Sequence, residues 1–151
     1  MINYFAYGSN ISEKRMKERN INFISRKFAV LKDYKVVFNK VSKKSVYIGY
    51  ANIVESKSDY VEGALYEITP EELSIINKYE GANSKPSHYY RTIVDVICDG
   101  EIINAVTYVA NPIMIRENIK PEKNYLNYIL EGKDIFSEKY YEKLNSVITI
   151  D

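Results

Sequence analysis

Predicted β-strands outnumber predicted helices in this chain, and the two kinds of element follow each other in no regular alternation. Apolar runs with strand character occupy, in order, residues 2–7, 28–31, 34–38, 46–54, 60–68, 90–97 and 102–109. A doubly wound parallel sheet requires strands and helices to alternate, and here they do not. The sequence therefore predicts an α+β fold with a curved or closed sheet.

Short polar segments and glycines divide the predicted strands. Lys32-Asp33 and Glu55–Asp59 each separate two strand patterns. Asp99-Gly100 is a favoured two-residue turn and predicts a hairpin between the last two strands. Gly49 and Gly63 lie inside strands, where glycine indicates a bulge, a bend or a close approach of two backbones.

Four helices are predicted, and the clearest begins at Thr69-Pro70-Glu71-Glu72. Thr69 can cap the helix, proline suits the first helical position, and Glu72 closes a capping box. Gly81 ends this helix. The first helix can be capped by Asn10 or by Ser12. The predicted helices other than that at Thr69 cover residues 13–19, 121–130 and 137–144.

The charges of the chain are nearly balanced. The chain has 151 residues, with Lys+Arg 21 against Asp+Glu 20, and its net charge is +1. This balance gives no indication of a nucleic-acid partner or of an anionic membrane. One basic run, Lys40–Lys44, is interpreted as a solvated turn, which is the usual state of a short charged run.

No apolar run reaches the roughly 18 residues that a membrane span requires, and the N-terminus lacks the pattern of a secretory signal. We therefore expect no membrane association and a cytoplasmic location. The length is that of one ordinary domain, residues 1–151. A chain of this size can bury a core without a metal ion or a disulfide.

The chain has one cysteine, Cys98, and one histidine, His88. A single cysteine excludes an intramolecular disulfide, and the two residues together exclude a zinc site of the usual His/Cys type. We therefore expect no zinc site of this type. Cys98 ends an apolar run and is predicted to be a small buried residue. The 15 tyrosines are interpreted first as a general compositional preference of a chain also rich in Lys, Asn and Ile. They are also compatible with a wet pocket or with a homodimer, and no segment identifies an interface.

The first predicted strand runs directly into Tyr7-Gly8-Ser9-Asn10 and then into a charged helix. Such a junction exposes unpaired backbone N–H groups, which can bind an anion or stabilise a developing oxyanion. In the purely structural alternative, Gly8 serves the turn and Ser9 or Asn10 serves as a cap. Gly8 is expected to adopt a positive φ, which a β-branched residue tolerates poorly.

Glu80 is the last residue before Gly81, on the same helical face as Leu73 and Ile76. The helix C-terminus carries partial negative charge, and an apolar environment disfavours an ionised carboxylate. Both effects would raise the pKa of Glu80 towards neutrality, where a general acid or base works best. The structural alternative is an ordinary glutamate at a frayed helix end.

These segments, taken in order, resemble the γ-glutamylcyclotransferase family. The residues that carry the resemblance are Tyr4–Asn10, Gly49–Ile53, Val61–Tyr66, Tyr79-Glu80-Gly81 and Tyr90-Arg91, with Thr107–Val109 and Pro121–Tyr125 beyond them. The resemblance covers nearly the whole chain. It implies a single γ-glutamylcyclotransferase-like domain over residues 1–151, with a small mixed β-barrel, flanking helices and a cavity at one end.

The resemblance also implies an activity and the residues that perform it. Members of the family cleave γ-glutamyl compounds by cyclisation to 5-oxoproline and a free amine or amino acid, without a metal or cofactor. Glu80 matches the catalytic glutamate, Tyr125 matches a tyrosine that lines the substrate site, and Tyr90 matches another, with Tyr89 as the alternative. The segment that matches the γ-glutamyl-binding loop consists of Tyr4, Phe5, Ala6, Tyr7, Gly8, Ser9 and Asn10. No role is assigned to His88.

The Tyr-Gly-Ser-Asn form of the turn resembles the enzymes that act on γ-glutamyl amino acids. Relatives that act on γ-glutamylamines tend towards Tyr-Gly-Thr-Leu. The leading hypothesis is therefore a γ-glutamylcyclotransferase whose partner is a small γ-glutamyl substrate. One alternative is a cyclotransferase that removes a γ-glutamyl protecting group from a larger metabolite. The other is a non-catalytic binding module of the same fold, against which the presence of Glu80 argues.

Overall fold

Five strands form a closed barrel in this computed structural model, which describes all residues from 1 to 151. The strands are β1 (Ile2–Ala6), β2 (Ser25–Val41), β3 (Gly49–Ile68), β4 (Tyr89–Cys98) and β5 (Glu101–Ala110). Their order around the barrel is β1-β3-β2-β4-β5. All neighbours are antiparallel except β1 and β5, which close the barrel in parallel where Tyr4 pairs with Val106. The predicted α+β fold with a mixed barrel is confirmed.

Four α-helices accompany the barrel. They are α1 (Glu13–Glu18), α2 (Pro70–Tyr79), α3 (Lys123–Leu130) and α4 (Glu138–Asn145). Short 3-10 segments precede α1 and follow β5 and α3, at Ser9–Ile11, Pro112–Met114 and Glu131–Asp134. None of the helices has the length and apolar character that a bilayer crossing requires.

The predicted breaks at Lys32-Asp33 and Glu55–Asp59 are wrong, because β2 and β3 are continuous strands of 17 and 20 residues. The pairing of β2 with β3 shifts register between Lys32 and Tyr34 instead of ending there. Asp33 has φ 63° and Ser58 has φ 71°, and the backbone N–H of Ser58 donates to Asp33 Oδ1 over 3.1 Å. The polar residues thus form an irregularity within a continuous ladder.

The strand predicted from Val46 begins only at Gly49, whereas other local predictions hold closely. Asp99 and Gly100 both have positive φ, as the predicted two-residue hairpin turn requires. The predicted capping box starts α2: Thr69 Oγ1 accepts from the Glu72 N–H, and Glu72 Oε1 accepts from the Thr69 N–H. Ser12, one of the two proposed caps, starts α1 by accepting from the Arg15 N–H. The side chain of Asn10 is therefore available for another role.

The apolar core fills the barrel and the space between the barrel and its helices. Phe5, Ile53, Tyr66 and Ile76 are among its fully buried side chains. Leu73 and Ile76 of α2 are buried, and this helix packs against β1. Cys98 is buried at the end of β4, as predicted.

Candidate active site

A cavity of about 230 Å³ opens at the end of the barrel where β1 and β5 finish and β3 and β4 begin. Its lining includes most of the residues that the sequence singled out, namely Tyr4, Phe5, Tyr7, Gly8, Ser9, Asn10, Glu80 and Tyr125. Tyrosine dominates the remaining wall, with Tyr50, Tyr79, Tyr89 and Tyr108. The N-terminal turn and the end of α2 therefore share one pocket.

Asn10 joins these two segments. Its side chain is 2% exposed, and its Nδ2 donates to Glu80 Oε1 over 3.4 Å and to the Tyr4 hydroxyl over 3.0 Å. Its Oδ1 accepts from Arg19 Nη1 over 2.8 Å. The amide is thus fixed by α1, β1 and α2 together, and it orients the Glu80 carboxyl in the cavity.

The carboxyl of Glu80 has a raised pKa. Burial is the largest cause, and the positive charges of Arg19 and Lys40 oppose it. Glu80 is the C-cap residue of α2, and Gly81, with φ 65°, turns the chain away immediately afterwards. The sequence predicted a raised pKa for Glu80, and the direction is the same here. The cations around the carboxyl, which lower the pKa, could not be identified from the sequence.

Tyr125 presents a hydroxyl whose proton is free. Its oxygen accepts from the backbone N–H of Ala51 over 3.0 Å, and its ring stacks on Tyr50 at 4.6 Å between centroids. Burial raises the pKa of Tyr125, so the hydroxyl stays protonated at neutral pH. Because a hydroxyl both accepts and donates, its proton remains available to a bound ligand.

The expected positive φ at Gly8 is wrong, because its φ is −111°. The space around Gly8 explains a glycine there better than its backbone does. An added Cβ would lie 3.3 Å from Ala51 Cβ and 3.4 Å from the Tyr125 hydroxyl oxygen. A larger residue at this position would therefore crowd Tyr125.

Two predicted substrate-binding residues lie outside the cavity lining. Tyr90 is 51% exposed on the outer face of β4, and its neighbour Tyr89 lines the cavity instead. The Tyr89 hydroxyl donates to the Ala51 carbonyl over 2.7 Å. Successive strand residues point to opposite faces, so an error of one position exchanges inside for outside. Ala6 is buried in the core beside the cavity rather than in its wall.

Three cations that were not identified from the sequence also line the cavity, namely Arg15, Arg19 and Lys43. None of them forms an ion pair with a carboxylate within 4 Å, because the ion pairs of the chain involve other residues. The guanidinium groups of Arg15 and Arg19 lie over the rings of Tyr128 and Tyr79, each at 4.4 Å. The sequence contains a signal for this pair: Arg15 and Arg19 are four residues apart, and this spacing places both on one face of a helix.

The basic run Lys40–Lys44 is not the simple solvated turn that its composition predicts. Lys40 is fully buried at the end of β2, and Lys43 lies in the cavity wall, where its Nζ donates to the Tyr79 carbonyl over 2.9 Å. Lys44 is exposed and pairs with Glu122. No group of three His, Cys, Asp or Glu side chains that could hold a metal ion is present.

Comparison with known proteins identifies the family of this chain. Residues 4–133 match the family described as gamma-glutamyl cyclotransferase, AIG2-like. The chain belongs to this family. A γ-glutamylcyclotransferase from Bos taurus is 31% identical over 150 residues, which cover 95% of this chain and 77% of the relative.

The γ-glutamylcyclotransferase from Homo sapiens is 28% identical over 150 residues, with the same coverage of both chains. A solved structure described as a γ-glutamyl cyclotransferase superimposes with a TM-score of 0.83 at 28% identity, over 99% of this chain and 89% of that one. The cavity that contains Glu80 is therefore the candidate active site of a γ-glutamylcyclotransferase-family enzyme.

Proposed function

We propose that this enzyme releases 5-oxoproline from γ-glutamyl amino acids, and that Glu80 is its single general acid and base. The observation that carries the proposal is the contact between Asn10 and Glu80 inside the cavity. It sets a carboxyl of raised pKa against the turn that resembles the γ-glutamyl-binding loop. Family membership supports the same reaction.

The reaction needs one proton carrier. The α-amine of the substrate attacks its own γ-carbonyl carbon, a new C–N bond forms, and a five-membered ring closes. Glu80 accepts the proton that the attacking nitrogen loses. The old γ-carbon–nitrogen bond then breaks, and Glu80 returns the proton to the departing amine. One carboxyl whose pKa is raised towards neutrality suits both steps.

The rest of the cavity would stabilise and orient the reacting groups. The carbonyl oxygen becomes negative in the tetrahedral intermediate. Donors that could face it are the Tyr125 hydroxyl and the backbone N–H groups at the start of the 3-10 segment Ser9–Ile11, which have no acceptor within that segment. Because ring closure is intramolecular, holding the substrate folded supplies much of the acceleration.

The charge of the wall supports an amino acid as the leaving group. Three cations, Arg15, Arg19 and Lys43, face one carboxylate, Glu80. The Nε of Arg15 is buried without any hydrogen-bond partner. None of the three cations forms an ion pair within 4 Å, so a carboxylate on the substrate would supply the charge partner that this wall lacks. Every γ-glutamyl substrate carries the α-carboxylate of its glutamyl group. A γ-glutamyl amino acid has a second carboxylate on its leaving group, and a γ-glutamylamine does not.

A matched pair of substrates tests the proposal. γ-Glutamyl-alanine and γ-glutamyl-ethylamide differ only by the carboxylate of the leaving group. We expect chromatography to detect 5-oxoproline from both, with the larger kcat/KM for γ-glutamyl-alanine; glutathione and the γ-glutamyl-lysine isopeptide extend the series. Binding of these compounds without 5-oxoproline formation would instead identify a non-catalytic module.

A further inference from the structure

We propose that the buried pair Lys40–His88 is a positioning device for Glu80. It fixes the turn that follows Glu80 and supplies a positive charge behind the cavity wall. The kinetic part of this inference rests on the proposed cyclotransferase activity, and the structural part does not.

Lys40 occupies an unusual place for a lysine. Its side chain is fully buried, and no carboxylate lies within ion-pair distance of its Nζ. The Nζ lies 2.7 Å from His88 Nδ1, and it sits 4.9 Å from the ring centroid of Tyr89 and 5.5 Å from that of Tyr50. A buried ammonium group without a carboxylate partner is costly, and these contacts are the ones that offset its cost.

Lys40 does not itself line the cavity, whereas Tyr50 and Tyr89 do. The ammonium group therefore lies behind the aromatic wall, on the side away from a bound substrate. It can act on the reaction through its neighbours and through its charge. This placement makes Lys40 a positioning residue.

His88 connects Lys40 to the turn after Glu80. The backbone N–H of His88 donates to the Gly81 carbonyl over 3.0 Å, and the His88 carbonyl accepts from the Asn111 N–H over 3.0 Å. The His88 side chain also packs closely on Gly81, because a Cβ added there would lie 3.1 Å from His88 Cβ. The contacts from Lys40 through His88 thus end at the residue next to Glu80.

The charges of this cluster act in definite directions. Burial, followed by the charges of Lys40 and Lys43, lowers the pKa of His88, so the ring is neutral at pH 7. Lys40 therefore donates to Nδ1, and the ring proton lies on Nε2. Burial lowers the pKa of Lys40 to about 8, against the attraction of Glu80, so Lys40 is mostly charged at neutral pH.

The charge of Lys40 in turn lowers the pKa of Glu80 and limits the effect of burial. It is one of several groups that face this carboxyl. The others are Arg15, Arg19 and Lys43, and the tyrosines Tyr4, Tyr7, Tyr89, Tyr108 and Tyr125. Only Lys40 among these cations contacts His88. Its removal should therefore change both the state of the His88 ring and the pKa of Glu80.

The first test needs no turnover. His88 is the only histidine, so its imidazole nitrogen signals in a ¹⁵N NMR spectrum of the full chain need no assignment. We expect the neutral Nε2–H tautomer in the wild type at about pH 7. Lys40→Met should raise the pKa of His88 and redistribute its tautomers, whereas Lys40→Gln should retain a donor to Nδ1 and preserve the tautomer. A tautomer that is the same in wild type and Lys40→Met would overturn the pair.

The second test is the pH profile of 5-oxoproline release. Without the charge of Lys40 the pKa of Glu80 rises, so the acidic midpoint of kcat/KM should move upward in both Lys40→Met and Lys40→Gln. Lys35→Met removes an exposed lysine from the same strand and should leave the midpoint unchanged. An unmoved midpoint in both Lys40 variants would overturn the role of the charge. Absence of 5-oxoproline from the wild type would refute the proposed function, and the NMR result would still decide the Lys40–His88 pair.

Discussion

Asn10 Nδ2 reaches Glu80 Oε1 over 3.4 Å, although the two residues lie 70 positions apart in the chain. The contact brings the strand-to-helix turn at the N-terminus and the C-cap of α2 into one wall. The two segments contribute different groups to this wall. The turn carries hydrogen-bond donors, and α2 carries the carboxyl with the raised pKa.

Glu80→Gln is expected to fold normally and to lose turnover by about 10²–10⁴-fold, because an amide cannot carry the proton. The measurement is 5-oxoproline release at saturating substrate, with circular dichroism as the check on folding. Glu72→Gln, at the other end of the same helix, is a control for the chemical change. Unaltered release from Glu80→Gln would remove Glu80 from the mechanism.

The same variant predicts a pH dependence of stability. The folded pKa of Glu80 lies above the ordinary value of 4.5, so its protonated form favours the folded state. This stabilisation is complete below about pH 4.5 and is lost as the pH rises through the folded pKa. As the pH rises through this range, the unfolding free energy of the wild type should therefore fall relative to that of Glu80→Gln. Thermal unfolding at several pH values measures it, and a difference independent of pH would contradict it.

Asn10→Ala should lower kcat and the unfolding free energy together. The change removes the partner of the Tyr4 hydroxyl, Arg19 Nη1 and the Glu80 carboxyl at once. Unpaired buried groups cost about 1–3 kcal/mol each, so we expect a loss of this order in chemical denaturation. Asn22→Ala, an exposed position, is the matched control. A wild-type kcat in Asn10→Ala would show that the amide does not orient Glu80.

The sequence was most informative where a structure depends on neighbouring residues. The capping box at Thr69 and Glu72 and the turn at Asp99-Gly100 are local chemistry, and both are present as predicted. The breaks expected at Lys32-Asp33 and Glu55–Asp59 failed because pairing between long strands absorbs polar residues and left-handed conformations. Strand length is decided by the partner strand, which no local pattern reveals.

The same limit applies to the cavity. Glu80 stands out in the sequence because a carboxylate at a helix end, on an apolar face, breaks a local preference. Tyr89 and Tyr90 could not be told apart, since which of two adjacent residues faces inward depends on the register of β4. Lys40 belongs to a run of polar and basic residues that is usually solvated, and its burial depends on contacts with His88, Tyr50 and Tyr89, which are distant in the sequence.

Gly8→Val is expected to raise KM more than it lowers stability. The φ of −111° is accessible to valine, so the backbone itself is not an obstacle. The added methyl groups would crowd Ala51 and the Tyr125 hydroxyl at the cavity wall. Gly8→Ala, with only a Cβ, should show a smaller effect of the same kind. Michaelis parameters equal to those of the wild type in Gly8→Val would show that the turn is a connector only.

Tyr125→Phe should lower kcat by about 10–100-fold while the ring stays stacked on Tyr50, because the oxyanion would lose one donor. The change also leaves the Ala51 N–H without its acceptor, which predicts a stability loss of about 1–3 kcal/mol. Tyr128→Phe on the same helix keeps its contact with Arg15 and serves as the control. If KM rises while kcat is unchanged, Tyr125 binds the substrate without stabilising the intermediate.

Arg15→Met is expected to distinguish substrates rather than to abolish turnover. Its buried Nε has no partner in the free protein, and its charge is unpaired by any carboxylate within 4 Å. If it binds the leaving-group carboxylate, the variant should lose about tenfold or more in kcat/KM for γ-glutamyl-alanine, since hydrogen bonds to charged groups contribute about 1.5–3 kcal/mol. The kcat/KM for γ-glutamyl-ethylamide should change little, because the leaving group of that substrate has no carboxylate. Equal losses for the two substrates would instead assign Arg15 to the glutamyl end of the cavity.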